Sequence, residues 1–169
     1  MKLTALTLLG IVCAMTGQYI AFSLNRRVAL LEKIQLMISQ MESHLNYLST
    51  PSEMLIEALC ENTQLRGLSF LDSCRLRIAG GEDFRTAWRA SLSDRSCTHF
   101  LKMEDVAMLN SFGEMFGATD TAGQLSNCRL HLQLAGERLD EAREIRERYG
   151  SLSMGMGIIA GIGVIIILI

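Results

Sequence analysis

The chain has 169 residues, with 16 bases against 18 acids, a single proline and 6% aromatic residues. Its stretch from Asn25 to Gly150 holds every acid and every base but Lys2, 15 minus 18 or a charge of −3, which argues against nucleic acid, a partner that asks for a basic face. The five cysteines, Cys13, Cys60, Cys74, Cys97 and Cys128, have no paired spacing and read as free packing thiols.

Leu, Met, Ala, Glu and Arg dominate, and strand-like alternation is nearly absent, so the fold class expected is all-α. From Leu3 to Leu24 the chain runs 22 residues without a charge, about 33 Å as a helix at roughly 1.5 Å per residue, against a hydrocarbon core of about 30 Å. The reading is an N-terminal transmembrane helix over 1–24. A cleaved signal peptide is the rival, since Lys2 precedes an apolar run around Ala5 to Ala14, but the helical pattern continues past Phe22. Lipidation at Cys13 is disfavoured by the branched Val12 before it. Gly10, Ala14, Gly17 and Ala21 form a stripe of small residues suited to helix packing.

The middle, 25–150, reads as a helical bundle on a long hairpin. Leu24, Val28, Leu31, Ile34, Ile38, Met41, Leu45 and Leu48 recur at steps of three and four, one face of a helix continuous with the first span. Thr50-Pro51-Ser52-Glu53 starts a new helix: Thr50 as cap, Pro51 in the first turn, Glu53 closing a capping box. Met54, Leu55, Ala58 and Leu59 are its expected buried face. Leu68, Leu71, Cys74 and Ile78 mark a helix that stops at Gly80-Gly81. Phe84, Ala87, Trp88 and Leu92 mark another, and Val106, Leu109, Phe112 and Phe116 a further one closing at Gly117.

A last long helix begins at Thr121, with Leu125, Cys128, Leu132, Ala135, Leu139, Ala142 and Tyr149 as its apolar stripe. The two long stripes can pack antiparallel, or each can pair with another copy or another protein. Leu152 to Ile169 carries no charge and reads as a C-terminal transmembrane helix over 151–169, with Gly157 and Gly161 as a small-xxx-small packing pair. Arg26, Arg27, Lys33, Arg143, Arg146 and Arg148 on the central side, against Lys2 alone, place the middle in the cytoplasm. The expectation is an antiparallel bundle of about six helices in an integral membrane protein of two spans.

Chemistry is hard to find. Only His44, His99 and His131 could serve as imidazole bases, no glycine-rich elbow surrounds a serine, and no phosphate-binding loop occurs. Cys97, His99, Cys128 and His131 could be combined as zinc ligands, yet Cys128 belongs to the apolar stripe and Cys97-x-His99 is not a usual ligand pair. Glu104 and Asp105 suit the positive end of a helix, and Asp120 can cap the helix from Thr121. No catalytic residue, cofactor, metal or small-molecule substrate is expected. The charged run Arg138 to Arg148 reads as a solvated face that could also dock a partner.

Ser111-Phe112-Gly113-Glu114-Met115-Phe116-Gly117-Ala118-Thr119-Asp120 resembles the FG-x-x-L-G-x-S/T-D signature of stage III sporulation protein AB, and Gln124, Thr50-Pro51, Ala58-Leu59 and Ala87-Trp88 fit the same pattern. Phe116 stands where that family usually has leucine, and Thr121-Ala122-Gly123 is less charged than its pattern. The resemblance implies a fold similar to the cytoplasmic domain of the platform protein of type II secretion systems. It also implies a noncatalytic platform of a sporulation channel between mother cell and forespore, mother-cell side, linking a cytoplasmic ATPase to other membrane subunits. By the same resemblance Phe112, Gly113, Gly117, Asp120 and Gln124 are the motif residues, with Gly117 expected to close a turn and Asp120 to cap. A homo-oligomer is compatible with this reading. The alternative is a membrane-tethered helical adaptor or regulator that binds a soluble protein.

Overall fold

The computed structural model describes the backbone of residues 2–48, 52–116 and 121–168, and side chains at Val12, 15–46, 54–116 and 121–149. Its elements are α1 (Lys2–Leu48), α2 (Ser52–Glu61), a 3₁₀ turn (Thr63–Leu65), α3 (Ser69–Ala79), α4 (Phe84–Ser93), α5 (Arg95–Thr98), α6 (Met103–Met115) and α7 (Thr121–Leu168). The described residues are all-helical, without a strand. They fall into two compact units, Ala29–Leu139 and a second made of Met1–Val28 with Asp140–Ile169.

Within Ala29–Leu139, α1 buries Leu31, Ile34, Met37, Ile38, Met41 and Leu45, the one-face spacing of a helix. Two facts fix its partner. Arg129 Nε lies 3.0 Å from Glu42 Oε1, and a Cβ built on Gly136 would stand 3.5 Å from Gln35 Nε2. Seven residues forward on α7 therefore answer seven residues back on α1, so the two run antiparallel within one chain. The α7 side of this seam is more polar than its apolar stripe predicts. Asn127, Cys128, His131, Ala135 and Leu139 are buried, while Leu125 and Leu132 are only half-buried.

Local signals set the short helices. Asn62 Oδ1 accepts from Gln64 N to start the 3₁₀ turn, and Gly67 follows at φ 99°, a conformation that side chains disfavour. After α3, Gly81 at φ 93° reverses the chain. Asp83 then caps α4 through Thr86 N, and Asp94 caps α5 through Ser96 N. Asp105, fully buried, accepts from Lys102 N at the head of α6. The α2 face differs from expectation: Leu55, Ile56 and Leu59 are buried, but Met54 is 63% exposed and Ala58 half-buried.

In the second unit, Arg27 is 4% exposed, with Nη1 3.9 Å from Glu141 Oε1, and Ala21, Val28 and Ala142 are buried. Val12, Met15, Tyr19, Ile20 and Phe22 are exposed. The expected two membrane spans, and the integral membrane localisation drawn from them, are corrected here: among the described residues no helix is long and apolar enough to cross a membrane. The physical reason lies in run length. The described part of α1 reaches Arg26 and Arg27 within fifteen positions of Val12, and that of α7 is charged throughout Arg138 to Arg148, whereas a span needs about 20 predominantly apolar residues. Gly10, Ala14, Gly157 and Gly161 lie outside the described side chains.

Candidate functional site: the aromatic junction of α4, α6 and α7

The FG pair of the sequence motif sits inside the unit Ala29–Leu139. Phe112 is fully buried, 6.0 Å centroid to centroid from Trp88, 5.6 Å from Phe116 and 5.3 Å from the His131 ring, which it meets edge-on. Phe84 lies 5.5 Å from Trp88 and 5.4 Å from Phe116, and Phe70 meets Trp88 in a T at 5.4 Å. Such offset and edge contacts add about 0.5–1.5 kcal/mol per pair beyond burial. The cluster joins α3, α4, α6 and α7.

Gly113 is there for space. A Cβ on it would fall 2.7 Å from Trp88 Cγ and closer still to Cδ1 and Nε1, so the indole can lie flat on the α6 backbone only because that side chain is missing. In that position Trp88 Nε1 donates to Leu109 O at 2.8 Å. The indole N–H, costly to bury unpaired, is thus satisfied by a helix carbonyl with a second lone pair.

The link to α7 is polar. Asn127 Nδ2 donates to Phe112 O at 3.1 Å, the carbonyl that also accepts from Phe116 N at 3.2 Å as α6 ends. Asn127 Oδ1 is buried with no hydrogen-bond partner among the described residues. One turn on, His131 Nδ1 lies 3.0 Å from Asn127 O, a carbonyl that can only accept. Burial pushes the His131 pKa below its ordinary 6.5, and the backbone hydrogen bond only partly offsets this.

Outward from the junction, Arg89 Nη2 pairs with Glu114 Oε1 at 2.6 Å, both exposed, and Met115 is 42% exposed. Gln124 is half-buried on the first turn of α7. Gly117 and Asp120 lie outside the described residues. The motif thus brings Phe112 and Gly113 together with Trp88, and adds Asn127, which sequence reasoning passed over, and His131, which was weighed there only as a base or a zinc ligand. Their spacing of four within an otherwise apolar stripe was the available signal.

The four weighed as zinc ligands do not make a site: among the described residues no three His, Cys, Asp or Glu converge. Burial pushes the Cys128 thiol up to about 12 and the Cys74 thiol likewise, with Cys60 adding to the rise at Cys74, so both are inert packing groups.

A family model described as stage III sporulation protein AB matches residues 2–169. A curated relative, stage III sporulation protein AB of Bacillus subtilis (strain 168), is 22% identical over 172 residues, covering 99% of each chain. No solved structure matches.

Proposed function

Because the chain belongs to the stage III sporulation protein AB family, and so has a role in sporulation, we propose that it is a noncatalytic assembly platform that links a sporulation ATPase to other subunits of one apparatus. The observation that carries the reading is where the motif sits. Phe112 and Gly113 are wholly buried at a junction that locks four helices. Residues serving as a rigid joint suit a part that holds others in place more than one that turns over a substrate. The exposed neighbours Arg89, Glu114 and Met115 form the contact surface for the ATPase, a charged pair beside an apolar side chain.

The test is a titration of the chain with a sporulation ATPase from the same source. Glu114→Arg and Met115→Asp, both at exposed positions, are expected to weaken binding by at least about fivefold while leaving the helical signal intact. Unchanged affinity in both variants would remove this surface from the reading. No binding by the wild-type chain would remove the platform itself.

A further inference from the structure

The end of α4, α5 and the first half of α6 enclose a cleft of about 450 Å³, within the size range of sites that hold a compact ligand or a few side chains. It shares no residue with the aromatic junction. Leu92, Leu101, Val106 and Ala107 give it apolar walls, and Arg95 and His99, both exposed, stand at its rim. Not one carboxylate lines it. Of the acids nearest in sequence, Asp94 accepts from Ser96 N and Asp105 from Lys102 N, while Glu104 is exposed and is not among the lining residues. Asn110, another lining residue, has its Oδ1 buried with no hydrogen-bond partner among the described residues. Met103, at the cleft edge, is 81% exposed.

We infer that this cleft is a docking site for a short segment of a partner protein that presents an apolar side chain flanked by carboxylates. Each part has a counterpart in the cleft. The walls take the apolar side chain, and the Arg95 guanidinium at the rim faces the carboxylates, with the exposed His99 ring as a further N–H donor. Charge complementarity at a rim sets which partner binds and how fast more than how tightly. The inference rests on the platform reading only in needing a protein partner, and it uses a different face.

Two labelled amphipathic peptides, one with leucines on one face and glutamates on the other, one with lysines in place of the glutamates, would be titrated against the full-length chain. The glutamate peptide is expected to bind about three- to tenfold more tightly than the lysine peptide. Arg95→Glu with His99→Glu should reverse that order, and Ala107→Trp, at an exposed position, should fill the cleft and weaken both. Equal binding of the two peptides, or an order untouched by the charge reversal, overturns the inference. So does octanoate binding where neither peptide does, which would make the cleft a small-molecule site. The same samples are titrated with the ATPase: ATPase binding without peptide binding sinks the cleft alone, and peptide binding without ATPase binding sinks the platform alone.

Discussion

Gly113 and Trp88 are one feature written at two positions. In an exposed helix, glycine to alanine gains roughly 0.5–1 kcal/mol from reduced backbone entropy. Here the added methyl meets the indole, and overpacking of about 1–3 kcal/mol outweighs that gain. Gly113→Ala is therefore expected to lower stability by about 1–2 kcal/mol, read as a lower urea midpoint by circular dichroism. A gain in stability would mean the indole does not lie against this backbone. His131 gives a second prediction. Folding lowers the proton affinity of its ring, so between pH 6.5 and the lower folded value the unfolded chain binds more protons, and stability falls as pH is lowered through that window. Urea midpoints taken from neutral to about pH 5 should show this slope, flattened in His131→Gln.

At the scale of elements, the helix ends at Gly80-Gly81 and Asp105 were read from the sequence, the caps at Asp83 and Asp94 were not, and helix seams were read less well. Asp83 and Asp94 stand directly before α4 and α5 and accept the amide hydrogen bonds that start them, a signal confined to a few neighbouring residues. Asp83→Ala is expected to lower the urea midpoint, as loss of a helix N-cap does. The ordinary carboxylate range is undercut at Asp83 by the Thr86 hydrogen bonds, so what this cap contributes is present above that range and lost as pH falls through the lowered value. The seam of α7 shows what spacing alone misses. A polar Asn127 at a core position is tolerable because Phe112 O, fifteen residues away, receives its amide, and no local pattern announces a partner so distant in sequence. Met54 failed differently: α2 turns Ile56 inward, and the flexible thioether is left outside. The antiparallel pairing of α1 with α7 can be checked with Glu42→Arg and Arg129→Glu. Each alone should cost less than about 1 kcal/mol, as exposed ion pairs do, and the double exchange should recover most of it.

For the whole chain, the all-α class followed from composition and from steps of three and four, which need no tertiary knowledge. The family followed from Phe112 to Asp120, although Phe112 and Gly113 turned out to be buried packing whose purpose only Trp88 explains. The span reading, drawn from charge-free runs matched in length to the hydrocarbon core, is overturned: among the described residues no helix is long and apolar enough to cross a membrane. Cys74 and Cys128, fully buried, test whether Ala29–Leu139 opens as one body. Both should resist thiol reagents in native buffer and become reactive together across the urea transition. Separate transitions would divide the α2–α3 side from the α7 seam.

Trp88 is the one tryptophan in the chain, and it is 1% exposed against the α6 backbone. The protein thus carries a single indole, which can be excited at wavelengths beyond the absorption of its three tyrosines, seated at the joint of its motif. Indole emission reports on that joint and no other place, so an unlabelled chain can signal whether a partner seated nearby tightens, loosens or leaves untouched the packing around the motif.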